Sequence, residues 1–205
     1  MNMPVSRSAP AKKPSKNREQ LLAAARRLFG LRGYGEVGTE EIVREAGVTR
    51  GALYYQFADK QDLFRALFIS MLHEIGHEVF EETMARVTHD TEDLMVGTQM
   101  LLDVYSRAEV KQIVLIDGPA VLGWNEWRDL QEPLHQAMLT HALQHLVDEG
   151  WLAPQPLEPV ASLIAGALMQ AGLAIANADD PAEARKIYGR GLETLVEGFT
   201  RRRND

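Results

Sequence analysis

Thr39-Glu40-Glu41-Ile42-Val43-Arg44-Glu45-Ala46-Gly47-Val48-Thr49-Arg50-Gly51-Ala52-Leu53-Tyr54-Tyr55-Gln56-Phe57 is the stretch whose reading decides the fold. Ile42, Val43 and Ala46 give its first part an apolar helical face. Thr39 stands where a cap is needed, and Glu40 and Glu41 favour a first turn. Gly47 ends this helix, since glycine suits a turn with positive φ. Thr49 then caps a second short helix reaching about Phe57. Val48 fills the space between the two helices, and Leu53 and Phe57, four residues apart, face inward with it. The opposite side carries Arg50, Gly51, Ala52, Tyr54 and Tyr55. Two short helices across a tight turn make a helix-turn-helix, whose second helix presents its N-terminal residues to base edges in a major groove.

Working outward, the sequence predicts an all-α protein of about nine helices. A helix over about Lys16 to Leu31 precedes the motif, with Leu21, Ala25, Leu28 and Phe29 on one face. After it, Asp59 caps a long fourth helix to about Ala85, striped by Leu63, Leu67, Met71, Ile75 and Val79. Helices are then expected over about Glu92 to Ser106 and Glu109 to Ile116, with Asp117-Gly118-Pro119 breaking or kinking the chain. A longer helix covers about Trp124 to Glu149, with a bend at Pro133. The last two cover about Glu158 to Asn177 and Pro181 to Phe199, the latter capped by Asp180. Residues 1–16 read as a basic, proline-containing tail, 17–62 as the helix-turn-helix domain, and 63–205 as a helical regulatory and dimerisation domain.

Charge follows the same division. The 205 residues carry a formal net charge of −7, but residues 1–65 hold 12 basic and 7 acidic side chains, a net +5, which leaves −12 on the remainder. Such asymmetry suits a polyanion partner at one end only. The absence of cysteine excludes disulfides and thiolate chemistry. No run of about 18 apolar residues predicts a membrane span, and no secretion signal is read at the N-terminus. A cytoplasmic location is therefore expected. With neither a GxxxxGK[ST] loop nor a GxSxG elbow, enzyme action is not expected.

The residues of the motif fit DNA chemically. Arg50 can bond bidentately to guanine, and Ala52 can touch a thymine methyl. Gly51 permits close approach. Tyr54 and Tyr55 reach phosphates from the groove edge, Thr39 and Thr49 mark helix N-termini that attract phosphate, and Lys60 is a candidate phosphate clamp.

This segment resembles the DNA-binding region of the TetR family of bacterial transcriptional regulators. The resemblance is carried by Leu28-Phe29, Gly33-Tyr34, Thr39 with Ile42, Ala46 through Tyr55, Phe57, Asp59-Lys60 and Leu63-Phe64. It covers about residues 18–65. It departs at Gln56, where many members have histidine, and at Glu40 and Glu41, where some place basic or neutral residues. The resemblance implies a homodimeric repressor that binds a palindromic double-stranded operator and carries a pocket for a small-molecule effector. It puts the recognition contacts on Arg50, Gly51, Ala52, Tyr54 and Tyr55, with Thr39 and Lys60 on the DNA backbone. The alternative is a helical small-molecule-binding or adaptor protein of the same fold that does not bind DNA.

In the remainder, the last two helices are the expected dimer surface, through Leu163, Ala167, Ala171 and Ala174 on one and Leu192, Leu195 and Phe199 on the other. Methionine and tryptophan suit large, irregular or aromatic ligands. Candidate pocket residues are Met71, Ile75, Met100, Tyr105 and Ile113, followed by Leu122, Trp124, Trp127, Met138 and Met169. His73/His77 and His141/His145 each have the i, i+4 spacing of a metal pair. They are read as solvated or hydrogen-bonded histidines, and no metal or cofactor is expected.

Overall fold

The computed structural model describes residues 15–87 and 92–199. Within them the chain forms nine helices and no strand. Three form the N-terminal head: α1 (Lys16–Arg32) and the short α2 (Thr39–Ala46) and α3 (Arg50–Gln56). Next come the long α4 (Lys60–Arg86) and α5 (Asp93–Tyr105). Three abutting segments, Ala108–Val110, Lys111–Asp117 and Gly118–Leu122, make one continuous α6. Helices α7 (Trp124–Asp148), α8 (Leu157–Asn177) and α9 (Pro181–Phe199) complete the chain. Of the expected tail, residues 1–14 lie outside the described residues, while Ser15 caps α1 and Lys16 is its first residue. The polar break at 88–91 and the basic end at 201–203 also lie outside them.

Local chemistry explains the boundaries. The Thr49 hydroxyl accepts from the Ala52 N–H at 3.2 Å and so caps α3. Asp59 accepts from the Asp62 N–H at 2.8 Å, while the Asp62 carboxylate accepts from the Ala58 N–H at 3.0 Å, a reciprocal cap on α4. Asp180 caps α9 through the Ala182 and Glu183 N–H groups. At α2 the expectation fails by one position: Gly38 occupies the cap site and Thr39 is the first helical residue. Gly47 adopts φ 65°, ψ 31°, a left-handed conformation that ends α2 and turns the chain into α3.

Of the break or kink expected at Asp117-Gly118-Pro119, the break does not occur. Helix α6 passes through it because Lys111–Asp117 is wound as a π-helix. In such a turn the Val114 carbonyl looks five residues on, to Pro119, which has no N–H. The indole Nε1 of Trp127 donates to that carbonyl instead, at 2.7 Å. The chain thus satisfies the orphan acceptor from α7 and keeps the helix.

One continuous core joins these elements. Leu21, Ala25 and Phe29 of α1 are fully buried with Ile42 and Leu53, closing the three-helix head. Helix α4 leaves that head with Leu63, Leu67, Met71, Ile75 and Val79 buried along its length and packs against α5 and α7. Helix α8 is long and apolar enough by composition to cross a membrane, with mean hydropathy 1.7. It packs on α5, α7 and α9, with Ala161, Ile164, Leu168, Ala171 and Ile175 buried. At Gly172 a Cβ would fall 2.7 Å from the Tyr105 ring, so glycine is what lets α8 approach α5 this closely.

Candidate nucleic-acid interface and effector cavity

The helix-turn-helix divides α3 into two faces. Leu53 and, at the helix end, Phe57 are buried and anchor it to α1 and α2. The other face holds Arg50, Gly51, Tyr54 and Tyr55, all exposed, with Tyr55 at 87%. A side chain at Gly51 would meet nothing closer than the Thr49 hydroxyl at 3.9 Å, so the backbone there is open to a close partner. Ala52 and Thr39 are half-buried, and Thr49 is exposed. Arg50 lies 3.6 Å from the Glu40 carboxylate and over the Tyr54 ring at 5.6 Å. The exposed ion pair contributes little to stability and gives way readily to a phosphate or a base edge.

Lys60 is more deeply held than a simple surface clamp. Its Nζ donates to the Tyr34 carbonyl at 2.6 Å and sits 3.9 Å from the Tyr34 ring centroid. Burial lowers its pKa, an effect partly offset by the nearby Asp117 carboxylate. Glu41 is paired with Arg32 and Glu45 with Arg27, which neutralises the two sides of α2.

A group of residues that sequence reading passed over joins this head to the rest. Asp117, on the π-helical segment, is buried; its Oδ2 accepts the Tyr34 backbone N–H at 2.7 Å and its Oδ1 accepts Gln112 Nε2 at 3.1 Å. Arg26 of α1 donates to Glu74 of α4 and to both oxygens of Glu109 of α6. Arg65 makes a two-pronged contact with Glu126 of α7, at 2.5 and 3.0 Å. In sequence Asp117 precedes Gly118-Pro119 and reads as a turn residue. No local signal marks its partner.

Among α4, α5, α7 and α8 lies a cavity of about 240 Å³, with Phe80, Thr83, Leu94, Leu101, Met138 and Leu168 among its walls. A wider, more polar groove of about 560 Å³ runs between α7 and α8 and is lined by Trp124, Arg128, Glu132 and Met169. His135 borders both openings. Its Nε2 lies 3.1 Å from the Tyr105 hydroxyl, and burial lowers its pKa to about 4. Of the candidate pocket residues, Met138 reaches the apolar cavity, and Trp124 and Met169 reach the groove. Met71, Ile75, Met100, Tyr105, Ile113, Leu122 and Trp127 are packed into the core instead. Burial in a filled core is what large apolar side chains do by default.

On the two last helices, Leu163 and Leu195 are exposed and Ala167 lies between them along a shallow groove. Ala174 is half-buried. Ala171 is buried in the chain's own core, whereas Leu192, also buried, forms part of the floor of that groove. The Phe199 side chain lies outside the described residues.

Residues 91–199 match the family model described as Tetracyclin repressor-like, C-terminal domain, and residues 21–67 match that of Bacterial regulatory proteins, tetR family. The chain belongs to the TetR family. It is similar over nearly its whole length to a TetR-family transcriptional regulator from Pectobacterium atrosepticum: 29% identity, TM-score 0.82, covering 91% of this chain and 95% of that one. It is 29% identical over 93 residues to the HTH-type transcriptional regulator LmrA of Bacillus subtilis, a match spanning 45% of this chain and half of LmrA. The fold is also that of the regulator FadR from Bacillus subtilis, solved in complex with stearoyl-CoA, at 18% identity and TM-score 0.70 over 88% of this chain and 98% of that one. Helices α2 and α3 lie inside the match to the N-terminal model, the helix-turn-helix domain of TetR-family transcriptional regulators.

Proposed function

We propose that the chain is a cytoplasmic homodimeric repressor that reads a palindromic DNA operator and is released from it by a small apolar or aromatic effector. The observation that carries this reading is the two-faced α3: Leu53 is fully buried, while Arg50, Gly51, Tyr54 and Tyr55 stand open on the other side. In this reading residues 17–62 bind DNA and 63–205 regulate. Arg50 selects a base, the tyrosines and Thr49 position the helix on phosphates, and Lys60 adds positive charge at the start of α4.

One head offers a small footprint, so two related by a two-fold axis are needed to read a site selectively. The outer side of α8 and α9 supports such a pairing. Leu163 and Leu195 are 70% and 51% exposed there, beside Ile187 and Tyr188. A Cβ added at Gly166, Gly191 or Gly198 would touch nothing, so the backbone is open to a second pair of helices. The net −12 outside residues 1–65 turns this part of the dimer away from phosphate.

The cavity supports the effector half of the reading. Its roughly 240 Å³ is below the usual ~300–1,000 Å³ of small-molecule sites, which favours a compact ligand. Phe80, Thr83 and Met84 of α4 line it, and the same helix begins in the head at Lys60. At 1.5 Å per residue, Lys60 and Phe80 are about 30 Å apart on one rod. A ligand that pushes α4 outward therefore tilts both heads and changes their spacing. The likeness of fold to FadR, solved in complex with stearoyl-CoA, supports binding of a small molecule by this fold.

Selection of bound duplexes from a random DNA pool by the full-length chain tests the reading. A two-fold symmetric enriched sequence, weakened in Arg50→Ala, is expected. Absence of any enrichment at low salt would overturn it in favour of a non-DNA-binding protein of the same fold.

A further inference from the structure

We propose that Asp93, His141 and His145 form a site for a divalent transition metal of the zinc class at the edge of the apolar cavity. Each offers one ligand atom, and the three atoms lie within 4.8 Å of one another. His141 and His145 project from successive turns of α7, and Asp93 is brought to them by the first turn of α5.

The state of Asp93 is the second, independent observation. The residue is only 4% exposed, and its Oδ1 is buried with no hydrogen-bond partner among the described residues. Its Oδ2 meets His145 Nδ1 at 2.7 Å. A carboxylate this dry with one oxygen unmatched is costly unless a cation completes it. A metal does so.

The geometry is within reach. Zinc–nitrogen bonds of about 2.0–2.1 Å place tetrahedral ligand atoms roughly 3.3 Å apart, so the trio has to contract by about 1.5 Å at most. The exposed ring of His141 makes most of that movement and also provides the entry path. Two imidazoles and one carboxylate favour zinc, nickel or cobalt over magnesium or calcium. Three protein ligands leave a fourth position, as in open zinc sites. Asp93 and His141 also line the cavity, so that position faces it. It suits a ligand with one anionic or nitrogen donor on an apolar body, a step that rests on the effector reading above. His73 and His77, by contrast, are exposed on α4 and belong to no such cluster among the described residues.

The test titrates the metal-depleted, untagged full-length chain with Co2+ as a visible-absorbing stand-in. One ion per chain with tetrahedral absorption bands is expected. His141→Ala, at an exposed position, should retain the wild-type circular dichroism and weaken binding by at least about 100-fold, while His73→Ala/His77→Ala binds as wild type. Added azide should shift the bands by entering the open position. No stoichiometric binding, binding unchanged in His141→Ala, or binding lost in the His73/His77 variant overturns the site; an azide-insensitive spectrum overturns the open position. Duplex binding by the metal-free chain, measured in parallel, reports on the regulator reading separately.

Discussion

Asp117→Ala removes the acceptor that ties the Gly33-Tyr34 loop to α6. Two bonds are lost, the Tyr34 N–H to Oδ2 at 2.7 Å and Gln112 Nε2 to Oδ1 at 3.1 Å. A hydrogen bond to a charged acceptor contributes about 1.5–3 kcal/mol, and the Gln112 contact about 0.5–1 kcal/mol. The alanine variant also leaves the Tyr34 N–H without its partner and Lys60 without the nearby counter-charge. Together these predict a loss of about 2–4 kcal/mol. Asp117→Asn keeps an oxygen for Tyr34, and Gln112 can rotate its amide to match, so the expected loss is about 1 kcal/mol. In a chain of this length each kcal/mol moves the melting temperature by about 2–4 °C. Thermal unfolding at one fixed protein concentration should therefore show alanine lower by about 4–16 °C and asparagine by about 2–4 °C. Equal shifts in the two variants, or none in alanine, would refute the argument that a buried, charged acceptor holds this joint.

Arg50→Ala should relax preference at one base position of the selected duplex by about 1–3 kcal/mol, read by competition between matched and mismatched sites. Lys60→Met should instead weaken binding to all duplexes and lower the slope of log K against log salt by about one unit. Leu195→Asp places a charge on the exposed face of α9 and should give monomers in sedimentation at concentrations where the wild type is paired. His135 is neutral in the fold because burial lowers its pKa from 6.5 to about 4, whereas the unfolded chain takes up the proton more readily. Its contribution is fully present above pH 6.5 and is lost as pH falls toward 4, so between pH 7 and 4.5 about 2–3 kcal/mol should disappear. Urea midpoints at the two pH values check this, with His135→Gln expected to show the smaller difference.

The head was legible because its determinants are local. The turn at Gly47, the cap at Thr49 and the apolar pairs Leu21–Ala25 and Leu53–Phe57 are all decided by residues within a few positions of one another. The Asp117-Gly118-Pro119 segment misled for the opposite reason. Whether proline ends a helix depends on what becomes of the carbonyl left without an N–H, and here the answer comes from Trp127 on the next helix. The cavity was hidden by composition. Methionine, tryptophan and isoleucine have the same appearance in a filled core as around a void, so Met71, Ile113 and Trp127 read as pocket candidates in the sequence and are buried in the core of the fold. A void is a property of the space between helices, and no single helix records it.

The same logic separates the acidic residues. A carboxylate in a charged chain reads as solvated face, and for most of the 29 in this sequence nothing local contradicts that. Asp117 and Asp93 are different only because of partners 83 and 52 residues away. Asp117 has both oxygens satisfied by the protein, so its burial is explained by the joint it makes. Asp93 has one satisfied and one bare. Since burial costs the same kind of desolvation at both sites, the difference between them lies in what is still missing from the second.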